Sequence, residues 1–236
     1  MSFGIGMVQA AEFIAFAGGP ASGSYGKAGA AMAVVVNNLS DGKINMTSQS
    51  SAGGQENILT VNNGLTQLGA AAQADIHEAY HGKGFFKKQK MTNIRLMGLM
   101  MESASNFVVL DDSPIRSLED IEGMTVSLGS PTSATRGLSE RLLDHIGIKV
   151  KKRFLPGGPA AKALKDGHID AYVWAPSVPD ASLIDLASTK KIRLIDLGTP
   201  AEESGFFKKY SFYYMYTIPA STYRGVDYDV KTIGTG

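Results

Sequence analysis

The chain has 236 residues, with 23 Lys and Arg against 22 Asp and Glu and a formal net charge of +1. Such a length holds one large domain or two ordinary ones, and a near-neutral balance supplies no global field for gathering nucleic acid or anionic lipid. Cysteine is absent, which removes disulfides, thiolate nucleophiles and zinc–sulfur sites together, while the 27 glycines exceed the usual share of about 7%.

The first stretch, MSFGIGMVQAA, is apolar and uncharged. It is similar to the tail of a secretory signal peptide that lacks its basic n-region, so residues 1–10 are expected to be a signal remnant with maturation after Ala10. Beyond it, short apolar runs alternate with helical periods, the pattern of an α/β fold. Phe13–Ala17 reads as a strand that breaks into Gly18–Ser24, followed by a helix from about Tyr25 to Asn38. Lys43–Gln49 alternates as a second strand, and Ser50–Gly54 opens a helix ending near Gly64. Leu68–Ala72 is a short strand, Ala74–His81 a helix stopped by Gly82, and Ile94–Met101 a strongly apolar strand.

A second series follows. Ser117–Asp120 reads as a capping box for a short helix ending at Gly123. Strands are expected at Thr125–Leu128, Lys149–Phe154, Ile169–Trp174 and Ile192–Leu197. Helices are expected up to His145, at Pro159–Asp166 and at Pro179–Ser188. The organisation expected is lobe one over 11–110, lobe two over 111–208, and a return crossing over 209–236. The two crossings lie near Ser105–Leu110 and Ser211–Thr217, both rich in β-formers.

Three loops, Gly18–Ser24, Ser50–Gly54 and Gly129–Thr135, each close a strand and open a helix. Ligands bind at that edge of an open parallel sheet, where free N–H groups and the helix dipole favour an anion. The same residues also serve as ordinary turns and N-caps. Neither a phosphate-binding loop nor a G-x-S-x-G nucleophile elbow occurs.

His77-Glu78-Ala79-Tyr80-His81 matches H-E-x-x-H, which on a helix would place two imidazoles on one face for zinc, with glutamate as base. His77 and His81 are therefore weak metal candidates, without an evident third ligand, and a chance match on a short surface helix is the simpler reading. Met97, Met100 and Met101 suit core packing. Trp174 ends a strand beside Pro176 and is either a cleft wall or core. Arg136 could clamp a carboxylate or pair with Glu140 one turn on.

Taken together, the series Phe13–Thr235 resembles the TAXI family of extracytoplasmic solute receptors, the binding proteins of TRAP transporters. Six segments in order carry the resemblance: Gly18-Gly19 through Ser24-Tyr25, Ser51–Asn57, Ala79–Gly82, Ile115–Gly123 with Thr125–Ser130, Leu164–Ala171, and Ile218–Tyr223. The resemblance implies an α/β, two-lobed type II periplasmic-binding fold with a hinge. Family members run further, so the chain is expected to lack the C-terminal part of lobe one. The resemblance also implies an exported, non-enzymatic receptor, without a cofactor and monomeric. It would capture a small carboxylate such as glutamate and deliver it to a TRAP permease. Carried over by position, ligand contacts would come from Ser22, Gly23, Ser24, Tyr25, Ser51, Gly53, Gly54, Ser130, Thr132, Ser133, Trp174 and Pro176, with Arg136 beside them. The family's glycine-rich turn is replaced here by Trp174-Ala175-Pro176-Ser177-Val178-Pro179, which leaves the ligand open. A receptor for an ABC importer of a sulfonate or pyrimidine-like ligand, a sensor-kinase receptor lobe, and a zinc metallopeptidase are the alternatives.

Overall fold

The structure, a computed structural model, describes residues 10–21 and 23–236. The expected signal remnant lies outside these residues except for Ala10, and so does Ser22. No helix among the described residues is long and apolar enough to cross a membrane.

The first lobe comprises β1 (Glu12–Ala17), α1 (Ser24–Leu39), β2 (Ile44–Gln49), α2 (Gly54–Asn62), β3 (Leu68–Gly69) and α3 (Gln73–His81). The strands form a parallel sheet in the order β2-β1-β3, with Phe16 opposite both Ser48 and Leu68. Small residues at helical spacing, Gly26, Gly29 and Ala33, form the buried face of α1. They let α1 lie close over the sheet, where Phe16, Met46 and Ala70 complete one core. A second core, Ile58, Ala79, Phe86, Met91 and Ile94, fills the space around α2 and α3.

The chain then crosses through β4 (Ser103–Ala104) and β5 (Asn106–Leu110). It continues with β6 (Thr125–Ser127), α4 (Ala134–Ile146), β7 (Lys151–Arg153), α5 (Gly157–Lys165), β8 (Ala171–Trp174), α6 (Ala181–Thr189) and β9 (Ile192–Leu194). These strands form a five-stranded sheet in the order β7-β6-β8-β5-β9. β6 is parallel to both its neighbours, and β5 is antiparallel to β8 and β9. Strand alternation divides its side chains between two faces. Phe107, Val109 and Val173 join Leu138 and Leu142 of α4 in one core. Val108 and Tyr172 join Leu164 of α5 and Leu183 of α6 in the other.

Last come α7 (Gly198–Glu203), α8 (Phe206–Lys209), β10 (Tyr214–Ile218) and β11 (Val230–Thr235). A small antiparallel sheet, β10-β11-β4, joins the two crossings. Ile218, Val230 and Ile233 belong to the second lobe's cores, while the carbonyl of Gly236 accepts from Gln73 N–H of α3 at 2.8 Å.

Several expected elements differ. Ile94–Met101 is apolar but pairs with no strand, and Leu96, Met97 and Leu99 are 70–83% exposed. Apolarity alone does not make a strand; its backbone needs a partner. Met97 is thus a surface residue, and only Met100 packs partly against the first core. The expected crossing Ser105–Leu110 is mostly β5, an interior strand of the second sheet. Ser117–Asp120 leads into a 3₁₀ turn at Glu119–Ile121 that no side chain caps; Asp120 Oδ2 instead reaches back and accepts from the Arg116 and Ser117 N–H groups at 2.8 Å each.

Candidate functional site

Strand-to-helix loops of both lobes open onto one cavity of about 540 Å³. The first lobe contributes the β1–α1 loop with Gly18, Gly19, Pro20, Gly23, Ser24 and Tyr25, and the β2–α2 loop with Ala52, Gly53 and Gly54. The second contributes Ser130 and Ser133 before α4, Pro156–Pro159 at α5, and Trp174, Ala175, Pro176 and Asp180 leading into α6. Tyr213, Ser103 and Thr235 of the crossings add to the lining. A second void, of about 10 Å³, sits wholly within the second lobe's core between Phe107, Leu138 and Leu197, and is too small for a solute.

Helices α1, α2 and α5 begin at Gly23, Gly53 and Pro156, none of which has a side chain that accepts from the first turn. Their first-turn N–H groups point at the cavity end of each helix and are not taken up by cap side chains. By contrast α4 is capped by Ser133, whose Oγ accepts from Arg136 N–H at 3.2 Å. Asp180 caps α6 by accepting from Ser182 and Leu183 N–H at 2.9 and 3.2 Å. Its carboxylate is thereby occupied at the rim.

Much of the remaining wall is apolar and aromatic, with Tyr25, Trp174, Tyr213, Leu138 and four prolines, but Lys27 of α1 adds a cationic side chain to the lining. Trp174 leans directly on α5, because a Cβ placed on Gly157 would lie 2.5 Å from its Nε1 and 2.6 Å from Cε2. Glycine at 157 is what admits the indole. Burial, reinforced by the charge of Asp75, pushes the Tyr25 phenol up to about 12, so it remains a neutral hydroxyl.

The lobes touch at the cavity rim. A Cβ on Gly53 would stand 3.0 Å from the Thr132 carbonyl oxygen, and Ser177 N–H donates to Ser24 Oγ at 3.3 Å. Lower down, Glu78 of α3 meets Arg141 of α4 at 2.6 Å.

Of the residues expected at the site, Gly23, Ser24, Tyr25, Gly53, Gly54, Ser130, Ser133, Trp174 and Pro176 line the cavity. Ser51 does not: its hydroxyl bonds the Asn57 side chain and accepts from Gly53 N–H, shaping the loop. Thr132 is also set back, with Oγ1 buried and unpartnered. Arg136 turns away altogether. It pairs with Glu140 at 3.1 Å, donates to the Pro131 carbonyl at 2.8 Å, and lies 4.4 Å over the Phe154 ring. The i+4 partner and the aromatic face outcompete a role as clamp.

The H-E-x-x-H helix resolves differently from a zinc site. The His77 and His81 rings do share a face, 4.5 Å apart, but Glu78 is held by Arg141, and His77 packs on Phe212. No group of three potential metal ligands gathers among the described residues.

The sequence reading missed the β7–α5 loop, Leu155-Pro156-Gly157-Gly158-Pro159, though its glycines close a strand and open a helix just as the other three loops do. It also missed Tyr213, Ser103 and Thr235. Nothing local marks these, since the crossings bring them to the cavity from distant positions.

The NMT1-like family model matches residues 16–236. Among solved structures, the chain is similar to the periplasmic aliphatic sulphonate binding protein SsuA from Escherichia coli (18% identity, TM-score 0.52, 85% of this chain and 70% of that one). It is similar to a structure described for glutathione import via GshT and the cystine ABC importer TcyBC of Streptococcus mutans (16%, 0.56, 79% and 76%). A putative L-cystine ABC transporter protein from Listeria monocytogenes matches over 95% of this chain and 82% of that one, at 13% identity and TM-score 0.55. At these identities the likeness shows the fold, a two-lobed type II periplasmic-binding architecture. With the family model covering nearly its whole length, the chain belongs to the NMT1-like family.

Proposed function

We propose that this protein is an exported solute-binding receptor, not an enzyme, that captures a small organic anion between its lobes and hands it to a membrane permease. The observation that carries this reading is the 540 Å³ cavity onto which the uncapped starts of α1, α2 and α5 converge from both lobes. Backbone N–H groups would hold the anionic end through hydrogen bonds and helix dipoles, while Tyr25, Trp174 and Tyr213 cover the remainder. With Arg136 committed to Glu140 and Phe154, the cationic side chain left to meet the anion is Lys27 of α1, a point charge that does not by itself select a carboxylate over other anions. Ligand contacts are assigned to Gly23, Ser24, Tyr25, Gly53, Gly54, Ser130, Ser133, Trp174 and Pro176. To these we add Gly157 and Gly158.

An ABC importer is the favoured permease partner, since structural relatives include proteins described as belonging to such importers. A TRAP permease is the second reading, supported by the ordered segment resemblance from Gly18 to Tyr223. Neighbouring genes separate them: an ATPase supports the first and a multi-spanning ion-driven permease the second.

A thermal-shift panel tests the receptor reading. It should include alkanesulfonates, glutamate, glutamine, C4-dicarboxylates, 2-oxoacids, cystine and glutathione. At least one solute should raise the melting temperature in proportion to its saturation. A flat response across all of them would count against solute capture.

A further inference from the structure

Beneath the cavity, away from its rim, α3 of the first lobe and α4 of the second meet through one polar cluster. Arg141 Nη2 lies 2.6 Å from Glu78 Oε1, and Nε donates to the same oxygen at 3.0 Å. The remaining nitrogen, Nη1, donates to the Tyr213 hydroxyl at 2.8 Å. The two ionic side chains are only 12% and 14% exposed. Asp75, one turn before Glu78, is fully buried beside them, with Oδ2 lacking any hydrogen-bond partner and Oδ1 reached by Gln55 Nε2 at 3.4 Å.

Three features distinguish this cluster from an ordinary surface pair. It joins the two lobes, separated by 63 positions in sequence. It is largely desolvated, so its attraction is weakly screened and loss of one partner leaves a charge stranded. And its third member, Tyr213, is itself a wall of the cavity. Burial works against the guanidinium charge, but Tyr213, Glu78 and Asp75 outweigh it, and Arg141 stays protonated.

We propose that Arg141 is a positioning residue for solute capture: through Glu78 it fastens the two lobes together, and through Tyr213 it fixes one wall of the cavity that closure creates. A solute would then meet a wall already oriented, and opening of the cleft would require breaking a shielded ion pair. At the rim, the contacts Gly53 to Thr132 and Ser24 to Ser177 are an uncharged approach and a single long hydrogen bond, and resist opening less; beside the ion pair, Ala74 of α3 is buried in the second lobe's core and His77 packs on Phe212. The role in capture rests on the receptor reading, but lobe closure itself can be measured with no solute present.

Because the sequence contains no cysteine, spin labels can be placed uniquely at Ala30→Cys on α1 and Lys165→Cys on α5, both exposed. Pulsed distance measurements on the unliganded full chain should give a short, narrow interlobe distribution. Glu78→Gln and Arg141→Gln should each shift it to longer, broader distances, and the double variant should shift it no further than the larger single effect. Tyr213→Phe should produce a smaller change in the same direction. Far-ultraviolet circular dichroism should be unaltered in all of them. Should Arg141→Gln fail to fold, Glu78→Gln and Tyr213→Phe alone decide. Distributions that coincide with that of the labelled parent would overturn the proposal, even if a solute is later found to bind. Conversely, a solute-blind protein whose lobes still open in Glu78→Gln would retain the clasp and lose the receptor reading.

Discussion

Asp75 places a carboxylate where no water reaches it, next to Glu78 and behind Tyr25 and Tyr213. Burial raises its pKa from 3.8 to about 6, Arg141 and Gln55 pull it partly back, and Glu78 adds to the rise. A folded-state pKa above the unfolded one means the native state holds the proton more tightly. The associated stability is therefore complete below about pH 4 and lost as pH climbs through about 6. The shift corresponds to about 3 kcal/mol. Asp75→Asn, which cannot ionise, should gain on the parent by up to that amount between those limits. Urea unfolding as a function of pH checks this; parallel curves would mean that Asp75 is solvated. At the cavity wall, Gly157→Ala would drive a methyl into the Trp174 indole. Trp174 is the sole tryptophan, so intrinsic fluorescence reads the cleft directly. The variant should show an altered emission maximum and weaker solute binding, with little loss of stability because the indole can swing into the cavity.

Elements divide into those that were legible from the sequence and those that were not. Strand–loop–helix units were readable because each carries its own signals. Phe13–Ala17 becomes β1, Gly147 stops α4 in a left-handed turn, and the alternation in Ile169–Trp174 places Tyr172 and Val173 on opposite faces of β8. Reading failed where pairing is non-local. Ile94–Met101 has the composition of a strand but no partner, and β5 enters the second sheet between β8 and β9, a placement that only the crossing decides. The site followed the same division. Gly23, Gly53 and Ser133 were visible as loop residues, and for Arg136 the i+4 pairing with Glu140 was legible, whereas the Phe154 ring beneath it belongs to another strand–helix connection that nothing local marks. Caps are a further test at this scale. Asp180→Ala removes the acceptor for two α6 amides and should cost about 1 kcal/mol in denaturant unfolding. Gly23→Ser, adding a cap hydroxyl at the bare start of α1, should instead weaken solute binding by competing for the amides left for the anion.

For the molecule as a whole, near-zero net charge takes on a specific meaning. No overall field draws a ligand in, and selectivity must arise locally within one cleft, from oriented dipoles, the Lys27 ammonium and apolar walls. Two lobes joined by paired crossings suit hinge closure, in which a bound solute stabilises the arrangement that buries it. With the unliganded parent held closed by Arg141 and Glu78, solute should leave its radius of gyration in small-angle scattering nearly unchanged and should reduce that of Glu78→Gln. The most direct test of solute capture between the lobes is calorimetric titration of the best thermal-shift solute into the parent protein and into Ala134→Trp, which fills the cavity from the start of α4. The account predicts one-to-one binding to the parent and none to the variant; no binding by the parent, or equal binding by both, would contradict it.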